Sequence, residues 1–258
     1  MDKQLIALYH LLKGNVWLKY APMSVQTWGD RIKMRNRIHT REKLVIEEQL
    51  KGKYRQGLLH LANKYGEESL GDYLEFGVYN GTSLITMHRV LEDLGYGHIR
   101  LFGFDSFEGL PITANTDDEG FWKPGSFKSD LEFTMQVLNS EKINLQRIFL
   151  TKGFFESTLT NKLRDKHKIA KASVIMIDCD MYRSAKVALE FCAPLIVDEA
   201  MVVFDDWFPL AERNLGEKRA FDEFLRAHPY FDVEEFGTYP LHGNIFLVFR
   251  NRPQNSTH

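Results

Sequence analysis

From residue 71 onward, apolar runs alternate with stretches in which apolar residues recur at helical spacing. Five of the runs predict buried strands, at residues 73–76, 98–107, 148–151, 173–180 and 200–207. Helical patterns separate or follow them, at residues 84–94, 129–138, 156–164, 182–191 and 217–228. Two further runs, 231–236 and 244–250, predict a closing hairpin. The pattern predicts an α/β, Rossmann-like, seven-stranded sheet that is mostly parallel, with one antiparallel strand.

The first 70 residues lack this alternation and read as helices. Leu5, Leu8 and Leu12 share a helical face within residues 2–13, and a second helix is predicted at residues 54–65. Between them lies a basic run at residues 28–39, which could bind an anion or nucleic acid but more often is a solvated face or an oligomer contact. We expect residues 1–70 to form a helical appendage that covers the substrate, pairs subunits in a homodimer, or both. Residues 71–258 form the predicted main domain.

Composition and charge exclude several classes of protein. The chain has 258 residues, of which 44% are hydrophobic and 26% charged, as in ordinary globular domains with a sizeable core. Its net charge of −2 argues against nucleic acid as the main partner, and no apolar run is long enough to span a membrane. The start of the chain lacks the features of a signal peptide, and Cys179 and Cys192 read as reduced, buried thiols. These features predict a cytoplasmic protein with no membrane partner.

The segment at residues 73–83 reads Tyr-Leu-Glu-Phe-Gly-Val-Tyr-Asn-Gly-Thr-Ser. Gly77 and Gly81 allow a tight turn close to a ligand, and Asn80 or Thr82 could cap the following helix. A strand, a glycine loop and a helix N-terminus together predict a nucleotide site. The spacing is not that of the dinucleotide fingerprint, so a purely structural turn is the alternative.

The second predicted strand ends in Asp105, which lies 30 positions after Glu75. An acid in this place binds ribose hydroxyls in nucleotide-binding units, and the alternative is a turn or cap aspartate. Residues 108–128 follow as a long stretch rich in glycine, proline and acids. Such loops are functional or disordered, and Phe121 and Trp122 favour an ordered lid.

Acidic residues end two further predicted strands. Asp178 and Asp180 end the fourth, and Asp205 and Asp206 end the fifth. Ligands of open α/β sheets bind at these carboxyl ends, so we expect the carboxylates to face one crevice. Their repulsion would be removed by a hard divalent cation such as Mg²⁺ or Ca²⁺. The alternative is that Asp205 caps the next helix and Asp206 pairs with an arginine.

Four motifs in this order resemble those of the macrocin O-methyltransferase family. They are residues 75–83 quoted above, Gly-Phe-Asp-Ser-Phe-Glu-Gly-Leu-Pro at 103–111, Ile-Asp-Cys-Asp-Met-Tyr at 177–182, and Phe-Asp-Asp-Trp at 204–207. The resemblance covers about residues 71–224. It implies a class I methyltransferase fold and a magnesium-dependent enzyme that uses S-adenosylmethionine to methylate sugar hydroxyls of natural products.

The resemblance also implies roles for residues of the site. A magnesium ion is expected on Asp178, Asp205 and Asp206, with Asp178 as the general base. The expected cofactor residues are Glu75, Gly77, Tyr79, Asn80, Gly81, Ser83, Asp105, Ser106, Phe107, Gly153 and Phe154. Four aromatic residues could stack on the adenine or on a sugar, or pack in the core instead: Phe107, Phe121, Trp122 and Trp207.

Methyl transfer to the hydroxyl of a small, sugar-containing acceptor is therefore the predicted activity. Two alternatives stay open. A catechol-type methyltransferase would also use magnesium and a diol, and a planar apolar slot would distinguish it. A non-catalytic protein that binds adenosylmethionine or a nucleotide is the other, although it does not explain the three acids Asp178, Asp205 and Asp206. The acceptor is not implied, because residues 1–70 and 112–128 match none of the motifs.

Overall fold

A computed structural model describes residues 33–239 and 242–251 of the chain, which divides into two compact units at residues 42 and 43. The described part of the first unit is helical at residues 33–39, where Arg35 and Arg37 are exposed. The helix predicted at residues 2–13 and the beginning of the basic run at Trp28 lie outside the described residues. The expected roles in covering the substrate and in a homodimer stay predictions.

The described residues of the second unit form one seven-stranded sheet. The strands are β1 Asp72–Phe76, β2 Leu101–Asp105, β3 Ile148–Lys152, β4 Ala172–Ile177, β5 Glu199–Phe204, β6 Phe231–Tyr239 and β7 Gly243–Arg250. Their order is β3-β2-β1-β4-β5-β7-β6, and β7 runs antiparallel to both of its neighbours. The prediction of a mostly parallel sheet with one antiparallel strand is therefore confirmed. The chain reverses its direction of travel across the sheet between β1 and β4, which is where ligands bind in such folds.

Helices cover the sheet, and their apolar faces set how they pack. They are α1 Glu47–Tyr65, α2 Thr82–Leu94, α3 Leu131–Ser140, α4 Phe155–Thr158, α5 Asn161–His167, α6 Tyr182–Cys192, α7 Trp207–Ala211 and α8 Gly216–Ala227. In α2, Leu84, Met87 and Leu91 recur at helical spacing and are fully buried. Among the described helices none combines the length and apolar character needed to cross a bilayer.

Helix α1 lies in the second unit, so this unit begins before the domain boundary that the sequence predicted at residue 70. The helix buries Leu50, Tyr54, Leu58 and Leu61 and contacts α2, β4 and β5. The apolar stripe of α1 packs in the same core as the sheet, and the division into an appendage of residues 1–70 and a main domain stays a prediction.

Several elements end earlier than the apolar pattern indicated. Strand β2 stops at Asp105 and β4 stops at Ile177, and the loops that follow them contain Phe107 and Asp180, whose φ angles are +52° and +63°. Strand β5 stops at Phe204, and Trp207 begins α7 and packs on Phe204 in the core rather than at the rim. The single helix predicted at residues 156–164 is two short helices, α4 and α5.

Candidate active site

Three strand ends form the floor of a cleft of about 1180 Å³ that is partly open to solvent. Gly77 follows β1, Asp178 follows β4 and Asp205 follows β5. Backbone hydrogen bonds continue the sheet for one residue past each strand, since the N–H groups of Asp178 and Asp205 donate to Phe76 and Ile177 at 2.9 and 3.0 Å. The glycine loop and the acidic residues therefore face the same cleft, as the sequence predicted.

The glycine loop and the loop after β4 approach each other closely at Gly77. Its φ is +96°, and a Cβ placed on it would lie 1.6 Å from the carbonyl oxygen of Asp178. A side chain at this position would overlap the backbone that carries the first acid of β4. Gly77 thus lets the glycine loop and the β4 loop lie against each other.

Asp105 shapes the glycine loop from the neighbouring strand end. One of its carboxylate oxygens accepts the N–H groups of Val78 and Tyr79, both at 2.8 Å, and the other accepts the Phe107 N–H at 2.6 Å. Burial raises the pKa of Asp105, while these N–H donors oppose the rise. The carboxylate lines the cleft and keeps acceptor capacity for one more donor, as a ribose hydroxyl would require.

Glu75 lies behind the loop rather than in the cleft. The Tyr73 hydroxyl donates to it at 2.5 Å and the Ser83 hydroxyl at 2.7 Å, and Tyr73 in turn shares a 2.9 Å hydrogen bond with Tyr54 of α1. Burial raises the pKa of Glu75 to about 8. This buried network ties α1 and the first turn of α2 to β1, and so supports the loop that faces the ligand.

The remaining predicted cofactor residues fall into two groups. Those that line the cleft are Tyr79, Asn80, Ser83, Ser106 and Phe154. Gly81, Phe107 and Gly153 do not line it. Gly81 has a φ of +83° and serves as the N-cap of α2, and Phe107 is only 1% exposed. The ring of Phe107 is therefore in the core, so the geometry favours core packing over stacking on the adenine.

Asp178, Asp205 and Asp206 offer carboxylate oxygens that lie within 4.8 Å of one another. Asp180 adds a fourth acid, which hydrogen-bonds with Asp206. Glu217, in the first turn of α8, is fully buried and accepts the N–H groups of Asp206 at 3.1 Å and of Cys179 at 3.4 Å. Asp206 also occupies the N-cap position of α7, but its side chain makes no cap hydrogen bond there.

The described residues that line the cleft supply little positive charge to balance this acid cluster. Among the described residues that line it, none is lysine or arginine, and His242 is the basic group that opposes Asp206. Burial raises the pKa of Asp178 well above its usual range, and Asp205 and Asp206 raise it further. Burial and Asp206 raise the pKa of Asp205 to about 8. Carboxylate oxygens of this number, close together, fit a hard divalent cation.

The predicted lid at residues 108–128 contains a 3₁₀ turn at Ile112–Asn115 and a tight turn at Asp117–Gly120, in which Asp118 and Glu119 have positive φ angles. Hydrogen bonds between Leu110 and residues 125 and 126 close its base, and Leu110, Pro111, Ser126 and Phe127 line the cleft. Phe121 and Trp122 pack edge to face within the lid, at a centroid distance of 4.9 Å.

Several residues that line or support the cleft were not predicted from the sequence. Leu44 and Val45, just before α1, line it, and so does His242. Glu217 was read only as part of a helix, because an acid in the first turn of a helix is common on the helix dipole alone. One feature pointed to a role for Glu217 in the site: it follows Gly216 in a turn that the loops after β4 and β5 can reach.

The family model Macrocin-O-methyltransferase (TylF) matches residues 23–235. The chain belongs to the macrocin O-methyltransferase family. The resemblance seen in the sequence is thus confirmed, and the match extends from the glycine loop through the acids of β4 and β5 and into the residues before α1.

Relatives of this macrocin O-methyltransferase family member agree with the fold. A Streptomyces olivaceus protein, 8-demethyl-8-(2,3-dimethoxy-alpha-L-rhamnosyl)-tetracenomycin-C 4'-O-methyltransferase, is 28% identical over 144 residues, which are 53% of this chain and 53% of that protein. The chain thus spans about half the length of this curated relative.

Two solved structures resemble the chain in fold. The O-methyltransferase NovP has a TM-score of 0.65 at 20% identity, over 79% of this chain and 80% of that one. An O-methyltransferase from Bacillus cereus in complex with SAH has a TM-score of 0.53 at 14% identity, over 95% of this chain and 97% of that one. The predicted class I methyltransferase fold is confirmed.

Proposed function

We propose that the protein transfers the methyl group of S-adenosylmethionine to a hydroxyl group of a sugar in a natural product or glycoconjugate, with Mg²⁺ in the cleft. The observation that carries the proposal is the acid cluster Asp178, Asp205 and Asp206 opposite the glycine loop in a single cleft. The Streptomyces olivaceus relative is named as a methyltransferase for a rhamnosyl compound, which supports a sugar hydroxyl as the acceptor.

The glycine-loop half of the cleft is the proposed donor site. Bound S-adenosylmethionine supplies an electrophilic methyl group on its sulfonium. Asp105 accepts a ribose hydroxyl with its remaining acceptor capacity, and Tyr79, Asn80 and Ser106 border the same space. The SAH in the Bacillus cereus structure, which shares this fold, supports the assignment of the cofactor.

The acid cluster is the proposed cation site, and Asp178, Asp205 and Asp206 would hold the ion. A bound Mg²⁺ would lower the pKa of an acceptor hydroxyl and thereby make it a better nucleophile near neutral pH. Its positive charge would also remove the repulsion that raises the pKa values of these carboxylates, and so would keep them ionised.

Asp178 is the proposed general base. It follows β4 between the glycine loop and Asp205, so it borders both the donor side and the acid cluster. As a carboxylate it can accept the proton that the acceptor hydroxyl loses while the methyl group is transferred. General bases contribute about 10²–10⁴-fold to rate.

Labelled methyl transfer tests the proposal. The protein is incubated with methyl-labelled S-adenosylmethionine, Mg²⁺ and glycosylated natural products with free vicinal hydroxyls, each paired with its aglycone. We expect mass spectrometry to find one added methyl on the sugar, none on the aglycone, and none in the presence of a chelator. Methylation of catechols but of no sugar would replace the proposal with a catechol-type activity, and binding of the cofactor without transfer to either class would contradict it.

A further inference from the structure

One lid carboxylate touches two helix N-termini at once. Asp118 is only 5% exposed, and one of its oxygens accepts the N–H of Tyr182, the first residue of α6, at 2.8 Å. Its other oxygen accepts the N–H of Gly216, the first residue of α8, also at 2.8 Å. First-turn N–H groups have no partner within their own helix, so a single side chain satisfies both helices and holds the lid against them.

The backbone at this point is held in an unfavourable conformation. Asp118 and Glu119 have φ angles of +46° and +57°, which are in the left-handed region that non-glycine residues rarely adopt. Such a turn persists only when its surroundings hold it in place. The two hydrogen bonds of Asp118 and the hydrogen bond from the Arg183 N–H to Asp117 provide that hold.

The same helix turn that Asp118 holds also contacts both acid loops. Gly216, bonded to Asp118, is followed by Glu217, whose carboxylate accepts the N–H groups of Asp206 and Cys179. Cys179 adjoins Asp178, so the first turn of α8 connects the lid with the acid loops of β4 and β5. Asp118 also contacts Tyr182 at the start of α6, and Tyr182 directly follows the loop after β4.

We propose that Asp118 is a positioning residue that couples docking of the lid to cation binding in the acid cluster. The inference rests on the proposed function, because it takes the cluster as a cation site. A docked lid that holds α8 and the acid loops in the arrangement that binds the ion would raise the affinity for the ion by some factor. The bound ion must then favour docking of the lid by the same factor. Loading of the acid cluster would then shift the lid towards the closed position over the acceptor.

Asp118→Asn is the informative variant. Asparagine tolerates the left-handed conformation as well as aspartate does, so the backbone is preserved. Its side chain has one acceptor oxygen, and its NH₂ group would face the N–H of the other helix. The matched control is Glu119→Gln, in the same turn, because Glu119 is exposed and pairs with Arg213 at the surface.

Chymotrypsin cleavage after Phe121 reports on the lid, because the Phe121 N–H donates a hydrogen bond to the backbone carbonyl of Asp118 and the Phe121 side chain is 48% exposed. Cleavage is followed by intact mass with and without Mg²⁺, and Mg²⁺ affinity is measured by calorimetry on the same samples. We expect Mg²⁺ to slow cleavage at least threefold in the wild type and in Glu119→Gln. In Asp118→Asn we expect faster cleavage without Mg²⁺, little protection by Mg²⁺, and at least threefold weaker Mg²⁺ binding.

Failure of this inference and failure of the proposed function are distinguishable. If Mg²⁺ binds the wild type but leaves cleavage after Phe121 unchanged, the cation site stands and the coupling is wrong. If Mg²⁺ protects Asp118→Asn as fully as the wild type, Asp118 is not the coupling residue. If Mg²⁺ does not bind the wild type, the cation site and the coupling are both overturned. The wild-type comparison needs no variant, so the coupling is testable even if Asp118→Asn does not fold.

Discussion

Asp105 and the acid cluster occupy equivalent positions, at the carboxyl ends of parallel strands, yet their carboxylates are surrounded very differently. Asp105 accepts three backbone N–H groups from its own loop and the glycine loop. Asp178 and Asp205 face other carboxylates instead, and these raise their pKa values beyond the effect of burial. Burial alone therefore does not decide what a strand-end acid does. Asp105, with its backbone donors, holds the glycine loop in shape, whereas the acids of the cluster have acidic neighbours and form the proposed cation site.

The strongest test of this contrast is Asp178→Asn. An amide oxygen can still contact a cation, but the amide cannot accept the acceptor's proton, so we expect methyl transfer at saturating Mg²⁺ to fall about 10²–10⁴-fold. Steady-state kinetics would measure it, with SAH affinity as a check that the donor half is intact. The control is Asp198→Asn at the opposite end of β5, where Asp198 pairs with Lys171. Normal turnover by Asp178→Asn would remove the general base from the account.

Gly77→Ala tests whether the two halves depend on their close approach. The added carbon would overlap the carbonyl oxygen of Asp178, and the alanine would have to adopt a φ of +96°. We expect a loss of roughly 3 kcal/mol in the free energy of unfolding, from backbone strain and overpacking. That corresponds to a decrease in Tm of roughly 6–12 °C, which circular dichroism would detect. Gly97→Ala is the control, because a Cβ at Gly97 meets nothing within 4 Å. Equal Tm values for the two variants would contradict the packing argument.

Asp105→Ala sharpens the contrast from the other side. Removing this carboxylate takes away the proposed ribose contact and also frees the N–H groups of Val78 and Tyr79. We expect SAH to bind at least tenfold more weakly, since hydrogen bonds to charged groups contribute about 1.5–3 kcal/mol. Mg²⁺ affinity should be unchanged, because Asp105 is not part of the acid cluster. Calorimetry that finds unchanged SAH affinity would remove Asp105 from the donor site.

A further expected effect is a pH dependence of the free energy of unfolding that belongs to Glu75. Its pKa is raised from 4.5 to about 8 in the folded protein. Between these two pH values the folded state therefore keeps a proton that the unfolded chain releases. This stability is present below about pH 4.5 and is lost as the pH rises towards 8, by about 1 kcal/mol per pH unit. Glu75→Gln should lack this part of the slope in denaturant unfolding at pH 5 to 7, and the exposed control Glu48→Gln should keep it. Identical slopes for Glu75→Gln and the wild type would contradict the assignment.

Much of this architecture could be predicted from the sequence, because the apolar runs locate the strands and the acids that follow them. Asp178, Asp205 and Asp206 were found because each follows an uninterrupted apolar run, and parallel strands end at one edge. The N–H donors of Asp105 were not predictable, since they depend on the loop conformation at Tyr79, whose φ is +48°.

The contributions that sequence reasoning missed are long-range and polar. Glu217 lies 11 residues from the Asp206 N–H that it accepts, and Asp118 lies 98 residues from Gly216. Acids in a loop or in a first helical turn are common, so their types carry no information on such partners. Helix α1 was placed in the appendage for a related reason, because its apolar stripe does not indicate which surface it covers.

Calorimetric titration with Mg²⁺ tests the central claim, that the acid cluster is a cation site, most directly. It is done on the wild type, on Asp205→Asn and on Asp105→Ala, so that an acid of the cluster is compared with the scaffold acid. We predict saturable binding of Mg²⁺ by the wild type and by Asp105→Ala, and at least tenfold weaker binding by Asp205→Asn. No saturable binding by the wild type, or equal affinity in Asp205→Asn and the wild type, would contradict the account.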